Sequence, residues 1–200
     1  MSTPSFTPIA PPSGLRIHVF GHPGTRPEEI AHRIGGEVLA HASEDCDLAI
    51  FLIDPSLGID GQSIENWEAL NESMPPRMVV VTGIENQEAD FDDAVLLANR
   101  VLDVTVTPFL VLHDDNGEPV ALISLSDLKI RDYSTNPPTI SESDPEHKTL
   151  VSDFQREYLA ALEVIGEDGF AAGLMFPAIP VSLTKGIGVD ILQDYISKLA

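Results

Sequence analysis

Leu48-Ala49-Ile50-Phe51-Leu52-Ile53, followed at once by Asp54-Pro55, is an apolar run with no polar alternation. A strand with one wet face alternates. A strand buried on both faces does not, and such strands belong to the interior of parallel sheets. The run therefore predicts an α/β fold. Met78-Val79-Val80-Val81 reads as a second buried strand of the same kind, and Leu15-Arg16-Ile17-His18-Val19-Phe20, ending at Gly21, as a strand before it. Pro27 to Ile34 reads as a short helix stopped by Gly35-Gly36, and Glu37 to His41 as a short strand. Gly61 to Asn71 reads as a helix with Ile64, Trp67 and Leu70 on one face. Asp90 to Leu102 reads as another, with Phe91, Val95, Leu96 and Leu102 facing inward. Strands alternating with helices predict a doubly wound, mostly parallel sheet.

The pattern changes after Thr107. Phe109-Leu110-Val111-Leu112, a turn at Asp114-Asp115-Asn116-Gly117, and Pro119-Val120-Ala121-Leu122-Ile123 predict an antiparallel hairpin. Asp132 to Asp144 is polar and Pro-rich and reads as a loop, and Pro145 to Ile165 as one long amphipathic helix. Ala178 to Val181 returns to a core strand, and Val189 to Leu199 reads as the closing helix. The partition expected is residues 1–14 as a disordered Pro/Ser/Thr-rich tail, 15–107 with 166–200 as the α/β core, and 108–165 as a small α+β insertion.

Two hundred residues, 43% of them hydrophobic, suffice for one domain with an insertion. The net charge of −21 repels phosphate backbones and argues against direct nucleic-acid binding. No apolar run is long enough to span a bilayer and no leader is evident, so a cytoplasmic protein without membrane contact is expected. The single cysteine, Cys46, lies in Glu44-Asp45-Cys46-Asp47. It is expected to be a free thiol whose neighbouring carboxylates raise its pKa. His18, His22, His32, His41, His113 and His147 lack metal-ligand spacing. His18 with His22, or His22 with His32, could meet near the sheet's C-terminal edge, but surface or turn histidines are expected and no metal site. Glu44, Asp45 and Asp47 read as a solvated acidic loop. The loop after Asp54 lies where open α/β sheets bind ligands.

The segment Ala178-Ile179-Pro180-Val181-Ser182-Leu183-Thr184-Lys185-Gly186-Ile187-Gly188-Val189-Asp190, with Ile191-Leu192-Gln193-Asp194-Tyr195-Ile196 after it, resembles a known pattern. It is similar to the last strand, base-contacting loop and final helix of the translational GTPases of the elongation factor G family, P-V-x-x-x-S-A-x-x-x-x-G-V-x-x-L-L-D-x-I. Leu48 to Ile59 is similar to that family's A-V-L-V-V-D-A-x-E-G-V. Arg77 to Val81 with Ala89-Asp90-Phe91-Asp92 resembles R-I-V-V-x-N-K-M-D-x-x-x-A-D-F. The hairpin at Phe109 to Arg131 and the helix after it match the subdomain that this family inserts in its nucleotide domain. The resemblance implies a P-loop-GTPase-like fold with a reduced number of strands.

The chemistry of that family is not carried. A phosphate-binding G-x-x-x-x-G-K-S/T loop needs backbone amides to cradle phosphate, a Lys for charge and a hydroxyl for Mg²⁺. Here Gly21-His22-Pro23-Gly24-Thr25-Arg26-Pro27-Glu28 puts Arg26, Pro27 and Glu28 at the deciding positions. Pro27 removes an amide donor, and Thr25 with Glu28 has capping-box spacing that would satisfy the helix start from within. Glu28 and Glu29 complement the helix dipole that would otherwise attract phosphate. The guanine-reading N-K-x-D is Thr82-Gly83-Ile84-Glu85, leaving only Glu85. A D-x-x-G before Leu48 is absent, and Asp114 to Gly117 reads as turn chemistry. Between Gly36 and Asp47 there is room for one strand where the family has two. Ser182-Leu183-Thr184 stands where the family has S-A-K.

The reading that follows is a pseudo-GTPase acting as a protein-interaction or regulatory module, with no cofactor expected and Gly21, Gly24, Glu85 and Ser182 as degenerate remnants. The resemblance implies a ribosomal or translation-factor partner reached through Pro108 to Ile165, where the family approaches the ribosomal stalk. A second reading is a weak nucleotide hydrolase rebuilt from Arg26, Thr25, Glu85 and Ser182. A third is a homodimer paired through an exposed edge at Glu37 to His41.

Overall fold

In a computed structural model the protein is described over residues 14–88 and 90–200. The stretch read as a tail therefore lies, through Ser13, outside the described residues. A five-stranded sheet is built from β1 (Ile17–Gly21), β2 (Glu37–Val38), β3 (Leu48–Ile53), β4 (Arg77–Val81) and β9 (Ala178–Pro180). Its order is β2-β1-β3-β4-β9 and every pairing is parallel. All six residues of β3 and all five of β4 are buried, as an alternation-free run requires. β2 is the one strand between β1 and β3 in sequence. It is two residues long and forms the edge.

α1 (Pro27–Ile34), α2 (Gly61–Ala69), α3 (Phe91–Val101) and α6 (Val189–Ser197) connect or follow the parallel strands. Aromatic rings tie sheet to helix in a continuous chain: Phe20 to Phe51 at 4.9 Å, Phe51 to Trp67 at 4.9 Å and Trp67 to Phe176 at 5.1 Å. At the N-terminal end of β4 the Arg77 guanidinium lies 4.6 Å from the ring centres of both Trp67 and Phe176. It donates to the Trp67 carbonyl at 3.1 Å and to Asn71 Oδ1 at 2.8 Å. Ring faces and two acceptors thus replace water around a cation that burial pulls below the usual guanidinium pKa.

A second sheet is antiparallel, β5-β6-β7-β8, from β5 (Phe109–His113), β6 (Pro119–Ser124), β7 (Lys129–Asp132) and β8 (Thr139–Glu142). The hairpin turn is held by the Asp114 carboxylate, which accepts from the amides of Asn116 and Glu118 at 2.8 and 3.0 Å. Three polar contacts fasten this sheet to α6, one of them between Arg131 Nη2 and Asp194 Oδ2 at 3.5 Å. Arg131 Nη1 reaches Asp190 Oδ2 at 2.5 Å, and Tyr133 Oη donates to Asp190 Oδ1 at 2.7 Å. Among the described residues no helix is long and apolar enough to cross a membrane.

Several expectations are corrected. The Asp132–Asp144 segment is not all loop: β8 lies within it, wholly exposed, and is specified by backbone pairing to β7 rather than by apolar alternation. The long helix is two, α4 (Pro145–Leu150) and α5 (Ser152–Ile165), parted at Val151, which leaves helical geometry as its side chain turns inward. On α3 the buried stripe is Phe91, Ala94 and Ala98, while Leu96 points outward. On α2 the polar Ser63 and Asn66 take buried places beside Trp67. Asn66 is buried because it bonds the Ala42 amide and the Ala40 carbonyl, at 2.9 and 3.1 Å. His18 is a core histidine, 7% exposed, rather than a surface one. Cys46 is a buried free thiol raised to about 11, first by burial and only weakly by Asp47. Asp45 and Asp47 are not merely solvated: Arg16 pairs with them at 2.9 and 3.1 Å.

Phe51, stacked on Phe20 and edge-to-face with Trp67 at the sheet centre, sets a stability test. Phe51→Ala is expected to cost about 3–5 kcal/mol in urea unfolding, and Leu96→Ala to stay within about 0.5 kcal/mol. Comparable losses in the two variants would contradict the packing described. His18 sets a pH test. Burial holds its imidazole pKa below the ordinary value, so the neutral ring is favoured in the folded state. The stability it contributes is complete above the unfolded value of about 6.5 and declines as pH falls through it. Relative to wild type, His18→Phe should flatten the stability-versus-pH slope between about pH 7 and 5. Parallel curves would refute this.

Candidate functional site

The site expected from the sequence is the C-terminal edge of the parallel sheet, where β1, β3, β4 and β9 all end. β1 ends at Gly21, where a Cβ would stand 2.9 Å from Leu52 Cβ, so the turn needs glycine. Pro23–Thr25 forms one 3-10 turn. His22 Nδ1 accepts from the Gly24 amide at 3.0 Å. The Thr25 amide donates to the His22 carbonyl at 2.8 Å and the Arg26 amide to the Pro23 carbonyl at 3.1 Å. Pro27 has no amide hydrogen. A Cβ on Gly24 would fall 2.6 Å from Leu57 Cδ1, so the hollow facing it is occupied by protein.

The expected capping box does not form. Pro27 takes the first helical position, which makes Arg26 the N-cap, in a left-handed conformation and without a side-chain cap. Thr25 is therefore one residue out of frame, and its hydroxyl donates to the His22 carbonyl at 2.7 Å. Arg26 turns its guanidinium to Glu29, 3.3 Å away and mostly in solvent. Glu28 and Glu29 lie in the first turn of α1, as the sequence requires, and complement its dipole.

On the far side, Glu85 Oε1 accepts from the Ser182 hydroxyl and from Thr184 Oγ1, the latter at 3.0 Å. Ser182 Oγ also receives the Lys185 amide at 3.2 Å. Lys185 Nζ is drawn away to Glu118 Oε2 at 2.6 Å and the Pro119 carbonyl at 3.2 Å, both at the hairpin. Gly24, Arg26, Asp54, Thr82, Glu85 and Ser182 are among the residues around a polar cavity of about 170 Å³. Typical small-molecule sites run about 300–1,000 Å³. Three of the four expected remnants thus meet at this cavity. Gly21 is not among its lining residues and sets the turn.

Sequence reasoning missed His22 as the loop's own amide acceptor and Lys185 as a tie to the hairpin. Nothing in local spacing marks Lys185, since Glu118 is 67 residues away. His22 was discoverable: a polar side chain two residues before an amide at a turn is the usual arrangement for side-chain capping. On the other side of the loop, a cleft of about 510 Å³ opens toward β2, with Phe20, Val38 and Leu39 on its walls. Its polar groups are largely engaged: Asp60 caps α2 through the Ser63 amide at 2.7 Å, and Asn66 holds the loop at Ala40–Ala42. Among the described residues no group of three or more His, Cys, Asp or Glu could hold a metal ion.

No protein-family model matches the chain. An elongation factor G-like protein of Mycobacterium tuberculosis, from strains CDC 1551 and H37Rv, is 24% identical over 202 residues, covering 90% of this chain and 27% of that protein. An elongation factor G-like protein of Thermotoga maritima is 24% identical over 170 residues, covering 75% of this chain and 25% of that one. A crystal structure of a Thermus thermophilus protein matches with a TM-score of 0.64 and 23% identity, over 76% of this chain and 26% of that chain, a likeness of fold. The chain spans about a quarter of the length of the curated relatives it matches. The chain is similar, at 24% identity, to elongation factor G-like proteins over most of its own length.

Proposed function

We propose that this chain is a non-catalytic derivative of the elongation factor G nucleotide domain. It keeps a P-loop-GTPase-like scaffold, has given up GTP, and acts as a protein-interaction or regulatory module linked to translation. The observation that carries this reading is the self-closed β1–α1 loop. Phosphate binding at a helix N-terminus needs free amides and an uncompensated positive end. Here the amides of Gly24, Thr25 and Arg26 are bonded within the loop, Pro27 has none, and two glutamates complement the dipole. The link to translation rests on the names of the relatives. The same reading treats residues 15–107 with 166–200 as the core and 108–165 as the insertion.

The competing reading, a weak nucleotide hydrolase using Arg26, Thr25, Glu85 and Ser182, calls on groups already engaged. Arg26 pairs with Glu29, Thr25 bonds His22, and Ser182 bonds Glu85. Isothermal titration with GTP, GDP and ATP in the presence of Mg²⁺ separates the two. No heat at about 1 mM nucleotide is expected, an affinity weaker than about −4 kcal/mol. Micromolar binding, or phosphate release above buffer, would overturn the proposal.

A further inference from the structure

α5 is a 14-residue amphipathic helix without one fully buried residue. Its apolar positions Phe154, Tyr158, Ala161 and Ile165 recur at the spacing of a single helix face. One flank of that face packs on the core, and Phe154 remains 47% exposed. Across from it, α3 turns Leu96 outward at 64% exposure, and Val104 beyond the helix end is 72% exposed. Between the two helices runs an apolar groove of about 750 Å³ with Val106 and Leu110 on its lining. A stripe of this kind on both walls is the condition for packing another helix.

The charges around the groove have one sign. Asp92, Asp103 and Glu157 line it, and among the described residues no Lys, Arg or His does. None of these three carboxylates has an ion-pair partner among the described residues. Partial desolvation, with neighbouring Asp90 and Asp93, raises the carboxyl of the exposed Asp92 above its ordinary value, so a cation arriving there relieves an existing cost. A small-molecule site would enclose its ligand and point mixed polar groups inward. The charged groups of this groove are all acids, and of its neutral polar side chains Asn99 and Thr105 bond each other at 2.8 Å.

We propose that the α3–α5 groove is a docking site for a partner protein's amphipathic helix, with large apolar residues at i, i+3 or i+4 and i+7 and Lys or Arg flanking them. Apolar anchors fill the trough between Leu96 and Phe154, and the flanking cations meet Asp92, Asp103 and Glu157. Opposite charge at the rim chiefly sets specificity and association rate. The proposal gives the interaction-module reading a surface and rests on that reading for its biological sense. The two fail separately, because nucleotide titration tests the closed loop and peptide titration tests the groove.

The probe is a labelled, Lys-flanked, Leu-anchored helical peptide of about 18 residues, compared by fluorescence anisotropy with the same peptide flanked by Glu. The full chain is expected to bind the Lys-flanked peptide with a Kd below about 100 μM and the Glu-flanked one at least about tenfold more weakly. Leu96→Asp should weaken binding by about tenfold or more, since it places an unpaired charge in the trough. The pair Asp103→Lys and Glu157→Lys should invert the preference between the two peptides. The control pair Glu65→Lys and Glu68→Lys, exposed on α2, should leave it unchanged. No binding of the Lys-flanked peptide at about 1 mM, equal binding of both peptides, or an equal response to the α2 control would overturn the proposal. Displacement of the peptide by a fatty acid whose own binding ignores the charge swap would also overturn it, in favour of a lipid-like ligand.

Discussion

The strand β3 has no polar face. Six consecutive buried residues leave no position along this central strand where a side chain can meet solvent or ligand. Parallel neighbours impose the same condition on β4. Chemistry is thereby confined to the loops at the strand ends, and in open sheets of this class it falls at the C-terminal edge. Gly21, Asp54, Thr82 and Val181 mark that edge here. The polar groups beyond them largely bond one another: His22 with Gly24, Asp54 with Ser56, Glu85 with Ser182 and Thr184. With the Thr82 hydroxyl as the buried exception, an edge that bonds most of its own donors has little left to offer an anion, because a ligand would have to displace bonds already made.

The antiparallel sheet is fastened to this edge region by charge. Arg131 and Tyr133 converge on Asp190 of α6, and Lys185 leaves the Ser182–Thr184 loop for Glu118 of the hairpin. With 11 Lys and Arg against 32 Asp and Glu, cations are scarce. Arg16, Arg131 and Lys185 are placed where they join distant segments. The carboxylates in excess stand on the surface, including the rim of the α3–α5 groove. The same imbalance that disfavours nucleic acid sets up attraction for a basic protein segment.

The fold is legible in the sequence where burial alone determines structure. Leu48 to Ile53 and Met78 to Val81 announce buried parallel strands, and Pro27 with Gly35-Gly36 brackets α1 correctly. The failures have distinct physical sources. β8 at Thr139 to Glu142 has no buried face, so no hydrophobic period exists to read, and only pairing with β7 specifies it. The break at Val151 is a tertiary choice, since nothing in the local sequence forbids one helix. Leu96 reads as inward when apolar residues are weighted by size, whereas Ala94 and Ala98 let α3 approach the core closely. At the site, the loop's departure from the phosphate-binding pattern is legible from Arg26-Pro27-Glu28. The way it closes is not, because the closure runs through the His22 ring rather than the expected Thr25 cap.

The central claim is that the β1–α1 loop keeps its amides to itself. It is tested most directly by following the backbone amide resonances of Gly24, Thr25 and Arg26 while GDP, and separately pyrophosphate, is added to about 10 mM, well beyond the weakest affinity that would count as binding. The account predicts that all three stay in place and that the Gly24 amide stays protected from exchange by His22. Saturable shifts centred on these three amides would mean that the loop opens to phosphate, and the reading of a closed cradle would be wrong.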